Sequence, residues 1–168
     1  MTLWIELMVE RTNTLVVGGG QAGLAMSEHL TNNKVDHIIL ERDRIVEKWR
    51  TSRWDSLVAN GPSWHDRFPT MKFSDVEPNA FAHKDSVVNY FESFAKKINA
   101  PVRTNVDVQA VVNLSKGDGF KITTSDGIFE ANNIVAATGP FQEPIFPSLI
   151  PNNIAIKQIH SQSYYNPK

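Results

Sequence analysis

The chain has 168 residues, 17 basic and 18 acidic, for a formal net charge of −1, and it contains no cysteine. That length fits one domain, or one plus a fragment, and a composition of 41% hydrophobic and 21% charged residues argues against disorder. Balanced charge argues against a broadly electrostatic nucleic-acid binder, and the lack of thiols excludes disulfides, thiolate metal sites, cysteine nucleophiles and thiol redox chemistry, so any redox function must come from a cofactor.

Residues 1–13 read as an N-terminal extension; Glu6 and Glu10 interrupt its apolar character and no basic segment precedes it, which makes a poor signal peptide. No apolar run approaches the ~20 residues a membrane span needs. The expectation is a cytoplasmic protein without a membrane partner. Residues 14–20 (TLVVGGG) predict a buried strand running into a glycine turn, and 21–33 a helix with Leu24, Ala25 and Leu30 on one face and Asn32–Asn33 as its stop. A second strand follows over 35–41. Residues 14–41 are therefore a β-α-β unit, with parallel strands joined right-handedly.

The pattern breaks after 42. The stretch to 80 holds Trp49, Trp54, Trp64, Pro62, Pro69 and Pro78, and predicts a short helix over 44–50 followed by ordered loop; a long aromatic loop in a compact domain usually carries function. Residues 85–99 predict an amphipathic helix, with Asp85 as its cap and Val87, Val88, Phe91, Phe94, Ala95 and Ile98 on its apolar face. One or two strands are expected over 102–113, with Val106, Val108, Val111 and Val112 buried. Hairpin signals at Lys116–Gly119 and Asp126–Gly127 link one strand to FKITTS and that to IFEANNIVAAT, within which IVAAT (134–138) predicts another buried strand stopped by Gly139–Pro140. The tail from 140, with Pro140, Pro144, Pro147 and Pro151, must be extended or turned.

Gly18-Gly19-Gly20-Gln21-Ala22-Gly23 fits G-x-G-x-x-G between a predicted strand and a predicted helix, the context that gives this pattern meaning. Gly18 permits the tight turn, Gly20 lets a pyrophosphate approach the backbone, and Gly23 lets the helix pack close to the strand. The helix N-terminus then meets the phosphates with free N–H groups and its positive dipole end. Glu41 lies 18 residues after Gly23, where an acid would bind ribose hydroxyls. Arg42 either meets a further phosphate or an adenine, or is simply solvated. The fingerprint does not separate NAD from FAD. However, a nicotinamide dehydrogenase would continue β-α-β, whereas this chain passes through an aromatic loop, a helix and a β-meander.

That order resembles the class B flavoprotein monooxygenases: flavin-containing monooxygenases, plant YUCCA-type enzymes and Baeyer–Villiger relatives. Five segments carry the resemblance: VVGGGQAGLAMSEHL, IILERDRIVEKWR, RWDSLVANGPSWHDRFP, IVAATGPFQEPIFP and IHSQSYYNP. The last keeps His160 and Tyr164 of the family's identifying motif, with Ile154 and Ile156 in place of its Phe and Gly; Glu47–Lys48 stand where the family often has glycines. The resemblance implies an α/β, Rossmann-like FAD-binding fold, with a parallel sheet and an inserted antiparallel β-meander, truncated relative to the family. Residues 1–168 would form one incomplete FAD-binding domain: the extension 1–13, the dinucleotide unit 14–41, a flavin-side loop region 42–84, helix, meander and A-T-G strand over 85–139, and a tail 140–168 leading toward an NADPH domain. No second glycine fingerprint follows Gly139, so the NADPH site is expected outside this chain, which would be a truncated product, one half of a split protein or a cut piece.

The implied roles follow. Gly18, Gly20, Gln21, Ala22 and Gly23 hold the FAD pyrophosphate, and Glu41 the adenosine ribose, with Arg42 beside it. Trp49, Arg50 and Trp54 flank the cofactor, Val108 offers backbone contact to adenine, and Thr138 and Gly139 close over the cofactor. Each has a plain structural alternative: core packing for Trp49, Trp54 and Val108, a turn hydroxyl for Thr138, and solvated surface for Arg42 and the His65–Asp66 pair. The implied reaction transfers one oxygen atom from a peroxyflavin to a small-molecule substrate, with NADPH as reductant and oxygen as co-substrate. No catalytic side chain is singled out, and the five histidines suggest no metal site. A partner chain or self-association is a further expectation. Two alternatives stay open: a non-catalytic or partner-requiring FAD-binding fragment, and another two-dinucleotide flavoprotein oxidoreductase. The missing cysteine pair weighs against a disulfide reductase.

Overall fold

Alternating apolar residues in short β-branched runs, separated by one strongly helical stretch, build a sheet with a crossover helix. The computed structural model describes residues 9–115, 117–147 and 157–167. The expectations for residues 1–8, for Lys116 and for 148–156, with Pro151, Ile154 and Ile156, lie outside the described residues. The chain divides into two compact units, Met1–Ile45 with Ser93–Gly139, and Val46–Glu92 with Pro140–Lys168.

The first unit contains β1 (Val9–Val17), α1 (Gln21–Asn32), β2 (His37–Leu40), β5 (Val102–Arg103), β6 (Val108–Asn113), β7 (Phe120–Thr124) and β8 (Gly127–Ala136). The six strands form one sheet of order β5-β2-β1-β8-β7-β6. β1 runs parallel to β2 and β8, and β5 parallel to β2, whereas β6, β7 and β8 form the antiparallel meander. Register places Leu15 beside both Ile38 and Ile134, so alternate residues of neighbouring strands share a face. Leu15, Ile38, Leu40, Val106, Ile122, Phe129 and Ala131 make one buried cluster. On α1, Leu24 and Ser27 are fully buried. The Ser27 hydroxyl is satisfied by donating to His37 Nε2 (2.8 Å), while His37 Nδ1 donates to the Val35 carbonyl (3.0 Å). The helix ends at Asn32, with the Asn33 N–H bonded to the His29 carbonyl (3.1 Å).

Three expectations in this unit are corrected. β1 starts at Val9, not at 14, because residues 9–12 pair with Ile128–Ala131 of the long β8. Their polar side chains hide the strand from the periodicity; Arg11 instead pairs with Glu130, and Glu10 takes both Arg103 nitrogens. IFEANN and IVAAT are one continuous strand, and toward its end Val135 is only half-buried and Ala136 exposed. Val111 and Val112 are exposed, since β6 is the outermost strand with a neighbour on one edge alone.

The second unit holds α2 (Glu47–Thr51), the antiparallel pair β3 (Val58–Pro62) and β4 (Phe81–His83), and a single 3-10 turn at Ser161–Ser163. α3 (Lys84–Lys97) begins in this unit and passes into the first. α3 buries Val87, Val88, Phe91, Phe94 and Ala95, and also Tyr90, which the apolar pattern omits. Asp85 sits in its first turn rather than capping it. Tyr90 stacks on Phe73 and Phe68, and its hydroxyl accepts from the Phe68 N–H (2.8 Å) and donates to the Met71 carbonyl (2.5 Å), anchoring the 68–73 loop to the helix. α2 starts at Glu47 instead of 44 because Val46 adopts left-handed backbone (φ 54°), a strained state for a β-branched residue. No helix among the described residues is long and apolar enough to cross a membrane.

Candidate functional site

β1 ends at Val17 and the chain turns through the glycines into α1. The turn is held from both sides: Gly18 N–H donates to the Leu40 carbonyl (2.8 Å) and Ala137 N–H to the Val17 carbonyl (2.9 Å). A Cβ on Gly18, whose φ is +113°, would lie 2.5 Å from the Ala137 carbonyl oxygen, and one on Gly23 would lie 1.9 Å from the Gly18 carbonyl oxygen. Those two glycines are required by the protein's own backbone. Gly20 differs: its backbone is extended (φ −92°, ψ −163°) and a Cβ there would meet nothing within 4 Å. It stands at the N-cap of α1 without a side-chain cap, and the first turn carries no acidic residue. Gln21 and Ala22 are exposed beside it. An uncapped helix N-terminus reached through open space suits an anion.

Glu41 directly follows β2. Its Oε2 accepts from Gly19 N–H (2.7 Å) and its Oε1 from Asp43 N–H (3.0 Å), so the carboxylate braces the glycine turn while keeping lone pairs for hydroxyl donors. Arg42 is about half-exposed, with Nε 3.4 Å from Asp43 Oδ2. Thr138 is exposed, its Cα 3.4 Å from where a Gly18 Cβ would sit, and Gly139 turns with φ 76°. The first unit thus brings Gly18, Gly20, Gly23, Glu41 and Thr138 together. Val108 packs its half-buried side chain against the core cluster, beside an irregularity in β6–β7 pairing.

Trp49, Arg50 and Trp54 belong to the second unit, and all three are half-buried. Arg53 lies 5.7 Å from the Trp49 ring centroid and 5.6 Å from that of Phe141. Arg50 Nη2 donates to Glu92 Oε1 (2.5 Å), 42 residues along the chain, and Arg50 Nε is buried without a hydrogen-bond partner. The Arg50–Glu92 and Arg53–Phe141 pairs join residues far apart in the chain and leave no local signal in the sequence. His65 Nδ1 donates to Asp66 Oδ1 (2.7 Å), and Asp66 Oδ2 accepts from Gly61 N–H (2.7 Å). His160 has a local task, its Nδ1 accepting from Gln162 N–H (3.2 Å) at the start of the 3-10 turn.

Residues 15–167 match the family described as pyridine nucleotide-disulphide oxidoreductase. The chain is 37% identical over 158 residues to an "uncharacterized oxidoreductase CzcO-like" of Geobacillus kaustophilus, covering 92% of this chain and 44% of that protein. It is 30% identical over 136 residues to "probable indole-3-pyruvate monooxygenase YUCCA4" of Arabidopsis thaliana, covering 80% of this chain and 33% of the relative. A solved flavin monooxygenase from Stenotrophomonas maltophilia shares the fold with a TM-score of 0.84 at 24% identity, over 95% of this chain and 47% of that one. The chain therefore spans less than half the length of the curated relatives it matches.

Proposed function

We propose that this chain, which belongs to the pyridine nucleotide-disulphide oxidoreductase family, is the N-terminal, FAD-binding part of an NADPH-dependent class B flavoprotein monooxygenase, a reading supported by its similarity to the CzcO-like and YUCCA4 proteins. FAD and NADPH are the family's cofactors. The observation that carries the proposal is Gly20. Neither backbone conformation nor packing asks for glycine there, and the space a Cβ would fill lies over the uncapped start of α1. A pyrophosphate approaching the backbone accounts for the residue.

In this reading Gly18, Gly20, Gln21, Ala22 and Gly23 hold the pyrophosphate, and Glu41 accepts from the adenosine ribose. Arg42 lies beside that ribose, Val108 meets adenine through its backbone, and Thr138 and Gly139 cover the cofactor. Trp49, Arg50 and Trp54 flank it and exclude water. When bound, FAD supplies the redox chemistry by which one atom of dioxygen passes to a small-molecule substrate, NADPH being the reductant.

The experiment is an FAD titration of Gly20→Val beside the wild type, with thermal unfolding of both. Loss of FAD binding in a variant that still folds is the expected result. Unchanged affinity would mean that the open space at Gly20 serves something other than the cofactor.

A further inference from the structure

Four non-glycine residues among those described have left-handed backbone: Lys34, Val46, Asn99 and Asn105. Three of them lie beside helices. Lys34 and Asn99 close α1 and α3, where the next N–H returns to the last turn, Val35 to the Leu30 carbonyl (2.9 Å) and Ala100 to the Ala95 carbonyl (3.0 Å). Val46 directly precedes α2. Asn105, with φ 60°, borders no helix and lies in the loop between β5 and β6. Asparagine takes this conformation more readily than most residues. Its side chain reaches Thr104 Oγ1 at 3.5 Å, the outer limit of a hydrogen bond, so what the loop requires of Asn105 is the backbone turn.

That turn sets two successive N–H groups on the segment that carries Glu41. Asn105 N–H donates to the Asp43 carbonyl (3.2 Å) and Val106 N–H to the Glu41 carbonyl (3.0 Å), while Glu41 N–H donates to the Arg103 carbonyl (2.9 Å). Residues 103–106 thus clamp the backbone of residues 41–43. The clamp bears on the carboxylate, because Asp43 N–H is the donor to Glu41 Oε1 (3.0 Å), with Gly19 N–H on Oε2 (2.7 Å). With both oxygens braced, the carboxylate is held in one orientation and its remaining lone pairs point in fixed directions. Gly19, Glu41, Asp43, Arg103, Asn105 and Val106 all belong to the first compact unit.

We infer that Asn105 is a positioning residue: its left-handed turn holds the 41–43 segment so that the Glu41 carboxylate meets the ribose hydroxyls of the bound nucleotide. This rests on the FAD-binding reading above, in which Glu41 accepts from the adenosine ribose. A hydroxyl donating to a carboxylate makes a charge-assisted bond, and its strength falls steeply with misalignment. Asn105 acts through Glu41 and supplies no ligand contact of its own.

The test is a calorimetric titration of the whole chain with FAD, with ADP, and with dideoxy-ADP, which lacks both ribose hydroxyls. Wild type, Asn105→Gly, Asn105→Ala and Asn105→Val are compared, with thermal unfolding of each. The wild type is expected to bind ADP about tenfold more tightly than dideoxy-ADP. Asn105→Gly, free to take left-handed backbone, is expected to keep that ratio. In Asn105→Val the branched side chain opposes that backbone; FAD and ADP should bind more weakly and the ratio should fall to about one. Asn105→Ala should move the ratio the same way, and it carries the test if Asn105→Val fails to fold. A turn that served folding alone would lower the melting temperature and weaken ADP and dideoxy-ADP equally. That result, an unchanged ratio in the folded variant, would overturn the inference and leave the FAD reading standing. Loss of the ratio in Asn105→Gly would overturn it too, since the side chain rather than the turn would then be at work. So would a wild type that binds FAD but does not distinguish ADP from dideoxy-ADP. A wild-type chain that binds no FAD would overturn both the inference and the reading beneath it.

Discussion

Gly18, Gly20 and Gly23 stand within six residues and are glycine for different physical reasons. At Gly23 the constraint is internal: a Cβ would lie 1.9 Å from the Gly18 carbonyl oxygen, a backbone atom that cannot swing aside. Gly23→Ala is therefore expected to destabilise the chain by about 3 kcal/mol or more, measured by urea unfolding; a loss under 1 kcal/mol would show that strand and helix can separate cheaply. At Gly20 no internal constraint exists, so its substitution should act on ligand binding rather than on folding. Tyr90 is a second case where one residue does two things. Tyr90→Phe keeps the ring stack on Phe68 and Phe73 but removes the hydroxyl that the Phe68 N–H donates to. About 1–3 kcal/mol of stability should go with it, and an unchanged melting temperature would mean that the amide finds another acceptor.

At the scale of elements, the meander separates buried from exposed positions that the sequence treats alike. Ile122 on β7 is fully buried, whereas Val111, its register partner on β6, is 42% exposed and Val112 is 54% exposed. Ile122→Ala should cost about 2–5 kcal/mol. Val112→Thr should change stability by less than about 0.5 kcal/mol. Chemical denaturation of the two variants tests the assignment, and a reversal of their order would contradict it. The sequence cannot make this distinction, because burial of a strand depends on its place in the sheet, and place is set by pairing with distant residues. The same reason hid the start of β1, where Glu10, Arg11, Thr12 and Asn13 carry no apolar alternation and are held by their partners on β8 and β5. β3 was hidden likewise, since Asn60, Gly61 and Pro62 read as loop and its partner β4 lies some twenty residues on. By contrast α1, its stop at Asn32–Asn33 and the buried stripe of α3 were legible, because helix signals are local.

For the whole molecule, the legible part of the candidate site is the part written in one short segment. The glycine turn, the helix that follows and the acid at Glu41 form a motif whose spacing is fixed by one crossover, and the structure sets Gly19 N–H on Glu41 at 2.7 Å. What was not legible depends on contacts between distant residues: Glu92 on Arg50, and Phe141 with Trp49 around Arg53. The central claim is that the chain forms an FAD site. Its most direct test is a visible absorption spectrum of the purified chain after incubation with excess FAD and desalting. Retained flavin, with a band displaced from that of free FAD, is the predicted result. A folded chain that emerges colourless would contradict the claim.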